Sequence, residues 1–194
     1  ITYSTDRWDD ARRFFGDWGL TLLVDDPARQ VWETLNGAQV IVRRPDDAGL
    51  PAPIEAGPTM REVTWGVQGA ARMDELAIAL KGTPGFQDLR SSTGQLKALD
   101  PHGMGLVFQP SAKRSLDIKG SPTNPYGNTQ RVDQPSPVYE RATPVDIGHV
   151  VLFTDRVLEA EAFYQRLGFV TSDRYPGRGI FMRCALEGGH HDLF

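Results

Sequence analysis

Apolar positions between Ile147 and Phe194 come first as a run and then as a stripe. Val150, Val151, Leu152 and Phe153 form a short apolar run bounded by Thr154 and Asp155, the pattern of a buried strand. Thr154 and Asp155 are good N-cap types, so a helix is expected over about 156–167. Val157, Ala160, Phe163, Tyr164 and Leu167 then fall three or four apart, the spacing of a helix that buries one face. Gly168 follows, at the position where a left-handed residue ends a helix. A strand around Ile180–Met182 and the segment GGHHDLF complete the stretch.

The same stripe occurs 149 residues earlier, at Trp8, Ala11, Phe14, Phe15 and Trp18. Thr154-Asp155-Arg156 answers to Thr5-Asp6-Arg7, and Gly168 answers to Gly19. GGHHDLF aligns with NGAQVIV after a shift of about two residues. A constant offset across five apolar positions, a cap and a terminating glycine is the mark of an internal duplication.

The repeated unit has the order βαβββ. In the first copy, strands are expected near Leu20–Val24, Gln30–Leu35 and Ala38–Val42, with Asn36-Gly37 as a hairpin turn. Residues 45–60 read as a Pro- and Gly-rich connector. A second copy follows over 61–109. Its first strand alternates at Val63, Trp65 and Val67, and its helix stripe is Met73, Leu76, Ala77 and Leu80. Further strands fall at Gln95–Leu99 and Leu106–Gln109. Residues 111–145 carry neither helical nor strand period and read as a linker. The expected class is α+β, with βαβββ modules pairing into half-open, curved sheets. An amino-terminal domain of two modules is expected over 1–110, and a third module begins a carboxy-terminal domain at 146–194. Ile1 and Phe194 both fall inside expected strands, so the chain reads as truncated.

Composition narrows the function classes. A net charge of −4 with no basic run leaves no electrostatic footprint for nucleic acid. No apolar stretch approaches the roughly 18 residues of a membrane-spanning helix. One cysteine, Cys184, excludes an intrachain disulfide and a cysteine-based zinc site, and fits a reducing, cytoplasmic setting.

The candidate chemistry lies in histidines. His149 stands at the head of the third module's first strand, and His190-His191-Asp192 on its last. In a βαβββ unit those two strands can face one cavity, where imidazoles serve as metal ligands or proton carriers. As strand neighbours, His190 and His191 are expected on opposite faces, with only one of them entering the cavity. A solvated strand end and a satisfied core histidine are the plain alternatives. His102 reads as a turn residue, Cys184 as a small buried hydrophobe, and all four tryptophans as packing residues.

The repeated βαβββ units, the IGHVVLFTD strand, the FYQRLGF helix end and the FMRC…HHDLF ending resemble the vicinal oxygen chelate superfamily, and within it the type I extradiol ring-cleaving dioxygenases. The resemblance implies Fe(II), with Mn(II) as the other metal, a catechol-type diol and O₂ as substrates, and a homo-oligomer. It implies His149 as a metal ligand, His191 as the acid–base residue and His190 as a substrate contact. It also implies that the remaining His and Glu ligands lie in a fourth module beyond this chain. A glyoxalase-like isomerase or lyase, and a metal-free binding protein of the bleomycin-resistance type, are the rival readings.

Overall fold

The first module folds in the order its periodicity predicts. The computed structural model describes residues 1–118, 138–187 and 189–194. The first module comprises β1 (Thr2–Ser4), α1 (Trp8–Asp17), β2 (Thr21–Asp25), β3 (Arg29–Glu33) and β4 (Gln39–Arg43). The second comprises β5 (Thr59–Val67), α2 (Ala70–Leu80), β6 (Gln87–Leu89), β7 (Gln95–Leu99) and β8 (Gly105–Pro110). Together they build one mixed sheet in the order β2-β3-β4-β1-β5-β8-β7-β6. In both modules the first and last strands are parallel neighbours, and an antiparallel β1–β5 pairing joins the two modules. β6 escapes the sequence pattern because it has three residues, two of them polar, and is defined only by its ladder to β7 at the sheet edge.

The duplication is visible in the backbone. α3 (Val157–Arg166) begins and ends 149 residues after α1, and β9 (Val170–Tyr175) begins 149 residues after β2. Thr5 Oγ1 accepts from Arg7 N–H at 2.9 Å, and Thr154 Oγ1 accepts from Arg156 N–H at 3.0 Å. Gly19 and Gly168 both end their helices in the left-handed region, at φ 90° and 86°. β10 (Gly179–Arg183) pairs antiparallel with β9.

The module's outer strands depart from the expected pattern. Val150–Phe153 is not buried along its length: Val150 is buried, but Phe153 is 77% exposed. It is a single parallel bridge from Val150 to Leu193, extended by Leu152 N–H to Phe194 O at 2.8 Å. The last strand also arrives later than the alignment suggests. In the first module Thr2 is registered with Ile41, which sets Ile1 beside Val40. The equivalent Val150 pairs with Leu193, so the strand is displaced by four residues from the constant offset, not about two. The additional chain forms the bend that carries the histidines.

Two apolar cores hold the modules. α2 and α3 bury Met73, Leu76, Leu80, Phe163, Tyr164 and Leu167 in one cluster. Trp65 meets Phe169 edge-on at 5.0 Å. Tyr164 Oη donates to Asp100 Oδ2 at 3.1 Å, and Asp100 Oδ1 accepts from the N–H groups of His102 and Met104, closing the predicted turn. Burial and the neighbouring carboxylate push the Tyr164 phenol well above its usual range, so it remains a donor. Tyr164→Phe strands a buried carboxylate oxygen and is expected to lower stability by about 1–3 kcal/mol, read from urea unfolding. The smaller core, under α1, is built on Phe15, Leu20, Trp32, Val40 and Val42.

Phe14 and Trp18, expected in the core, are instead 59% and 58% exposed. Their repeat equivalents, Phe163 and Leu167, are buried because the second module covers them. Among the described residues nothing covers Phe14 and Trp18 in the same way. The linker arms are docked at the β3–β4 turn: Arg114 N–H donates to Asn36 O at 2.7 Å, and Asn36 N–H to Val145 O at 3.0 Å. Residues 119–137 of the expected linker lie outside the described residues. No described helix is long and apolar enough to cross a membrane.

Candidate functional site

The third module brings three of the chain's four histidines together. His149 immediately precedes the buried Val150 and is itself exposed. Its ring lies 4.7 Å from that of His191, centroid to centroid. His190 Nδ1 approaches His191 Nδ1 at 3.0 Å. Beneath them is Phe181 of β10, with ring centroids 5.2 Å from His190 and 4.8 Å from His191. Phe194 stacks on the Phe181 ring at 4.2 Å. His149 also borders a groove of about 900 Å³ whose other walls include Tyr3, Phe15, Val40 and Ile147.

One expectation changes here. His190 and His191 do not part to opposite faces, because they sit in a bend where strand alternation does not apply, and both meet Phe181. Burial disfavours the charged form of His191, and the neighbouring His149 and His190 add to that effect; Asp192 opposes it. The net direction is a pKa below the ordinary histidine value, which keeps the ring neutral at pH 7.

The Asp192 carboxylate is tied to the neighbouring strand: its Oδ2 accepts from Cys184 N–H at 2.8 Å. Cys184 is exposed, contrary to its reading as a buried hydrophobe, because the chain bends outward once β10 has ended. Its thiol nonetheless sits in a partly dry place. Burial of the sulfur and the Asp192 carboxylate raise its pKa to about 11. A disulfide reagent at pH 8 is expected to label Cys184 about 10–100-fold more slowly than an unperturbed thiol. The rate should keep rising with pH up to about 11 instead of levelling near the normal thiol value. His102 stays in its turn and lines a separate cavity of about 120 Å³ between the second and third modules.

Among the described residues, no group of three or more His, Cys, Asp or Glu side chains is placed to hold a metal ion. His149, His190 and His191 therefore do not make a complete centre, and these residues alone do not fit a mononuclear iron site. Sequence reasoning did not find the Phe181–Phe194 stack. Its signal was the aromatic residue on each of the two last strands. Nor did it find the bond from Cys184 N–H to the Asp192 carboxylate, signalled by one acidic residue between the two histidines and the apolar Leu193-Phe194.

No protein-family model matches the chain, and no curated protein does. Solved structures do. A catechol 2,3-dioxygenase is 20% identical over 99% of this chain and 66% of its own, with a TM-score of 0.62. The Mn(II)-bound glyoxalase from Novosphingobium aromaticivorans is 18% identical over 100% of this chain and 58% of its own, with a TM-score of 0.66. The 2,2',3-trihydroxybiphenyl 1,2-dioxygenase from Sphingomonas wittichii strain RW1 is 13% identical over 99% of this chain and 64% of its own, with a TM-score of 0.62. The fold is that of the vicinal oxygen chelate proteins, α+β and built from βαβββ modules. This chain spans less than two thirds of the length of those structures.

Proposed function

We propose that this chain belongs to an extradiol-type dioxygenase, which opens a catechol-like ring with O₂; His149 would hold one position of the metal that such chemistry uses. The observation that carries the reading is the placement of His191 directly against His149 in the third module of this fold, over the Phe181–Phe194 stack. His191, favoured in its neutral form, is suited to take a proton from a ring hydroxyl and return it as the ring opens. The stacked phenylalanines offer an apolar face to an aromatic ring. His190, next to His191, is the candidate contact to a polar ring substituent. The bound metal is proposed as Fe(II), with the remaining ligands supplied from outside the described residues.

The test is anaerobic loading of the protein with Fe(II), then measurement of O₂ uptake on addition of a catechol. Stoichiometric O₂ consumption with loss of the aromatic absorbance supports the reading. Metal binding without O₂ uptake, but with turnover of a glutathione hemithioacetal, would replace it with the glyoxalase-like isomerase. Tight binding of an aromatic ligand without any metal would replace it with the metal-free binding protein.

A further inference from the structure

β10 and the last segment begin as a regular antiparallel pair. Met182 and Leu193 exchange both backbone bonds, Met182 N–H to Leu193 O at 2.8 Å and Leu193 N–H to Met182 O at 3.0 Å. In an antiparallel ladder the next hydrogen-bonded pair lies two residues further along each strand, here Cys184 with His191. That pair does not form. The Cys184 N–H is taken instead by Asp192 Oδ2 at 2.8 Å. Asp192 is fixed on both sides, since its own N–H donates to Met182 O at 2.8 Å and its carbonyl accepts from Val150 N–H at 2.9 Å. One side chain thus occupies the donor that would have drawn His191 into the sheet.

We infer that Asp192 is a positioning residue that holds His191 out of the ladder and against His149. Within the chain, two acceptors compete for the Cys184 N–H: the Asp192 carboxylate, which holds it at 2.8 Å, and the His191 carbonyl, which the regular ladder would set opposite it. When the carboxylate wins, the chain bends at 189–191 and the His191 ring reaches His149 at 4.7 Å and Phe181 at 4.8 Å. When it is removed, the carbonyl of His191 takes its ladder place, strand alternation returns, and His190 and His191 part to opposite faces. The consequence for proton transfer rests on the function proposed above; the geometry does not.

The test is imidazole NMR on the chain, whose four histidines are assigned by single His→Gln variants. The parent protein should show a nuclear Overhauser contact between the His149 and His191 rings. Asp192→Asn keeps an oxygen acceptor of the same reach and should retain the contact, while Asp192→Ala should lose it with its remaining amide spectrum largely unchanged. The Cys184 amide should be slow to exchange in the parent and in Asp192→Asn. Persistence of the His149–His191 contact in Asp192→Ala, or its loss in Asp192→Asn, overturns the inference. If Asp192→Ala does not fold, Asp192→Ser replaces it, its hydroxyl being too short to reach the Cys184 N–H. A fast-exchanging Cys184 amide in the parent overturns the inference without any variant. None of these signals depends on turnover, so an inactive protein with the expected contacts removes the proposed function and leaves the role of Asp192 standing.

Discussion

In the protein with its full set of metal ligands, His191→Gln is expected to slow ring opening by about 10²–10⁴-fold, the span of a typical general acid–base step, while iron content and diol binding are kept. His149→Ala should instead abolish iron binding, with loss of turnover following from that. The contrast comes from the two positions. His149 is exposed at the head of the first strand with its ring free of hydrogen-bond partners among the described residues, so it can present a lone pair. His191 lies deeper, in contact with Phe181 and between two other imidazoles, where its neutral form is favoured. Metal analysis together with kcat and KM on both variants decides the matter. Equal loss of iron in the two would make His191 a ligand, and normal turnover in His191→Gln would make it structural.

The largest stability effect is expected at Phe163. It is 7% exposed in the core shared by the second and third modules, whereas its repeat equivalent Phe14 is 59% exposed. Phe163→Ala removes a ring from a packed interior and should lower unfolding free energy by roughly 3–5 kcal/mol. Phe14→Ala removes the equivalent ring from a solvated face and should cost about 1 kcal/mol or less. The two substitutions delete identical atoms from positions 149 residues apart on duplicated helices, so their difference isolates burial from helix propensity. Urea unfolding measured side by side checks it. Similar losses in both would mean that Phe14 is covered in solution by something beyond the described residues.

Much of this was legible in the chain. The stripe Met73-Leu76-Leu80 begins three residues inside α2 and ends with it, and Val157-Ala160-Phe163-Tyr164-Leu167 runs from the first residue of α3 to one past its last. The glycines at 19 and 168 mark where both repeated helices stop, since a left-handed residue there costs glycine little. Asn36-Gly37 gives the β3–β4 turn, and Asp100-Pro101-His102-Gly103 gives the turn that Asp100 closes. These features are local. Each depends on spacing within a helix or strand, or on the backbone freedom of a single residue.

What tertiary structure alone decided is how local elements meet. The same helical stripe is buried in α3 and half-bare in α1, because burial depends on a neighbouring module and not on the stripe itself. The directions of His190 and His191 follow from which acceptor captures the Cys184 N–H, a competition between a side chain and a strand that periodicity does not encode. Sequence by itself determined the repeated module, its helices and the residues able to do chemistry, because those are set by short-range geometry. The contact of His149 with His191 joins positions far apart in the chain, and only the parallel bridge from Val150 to Leu193 brings them side by side.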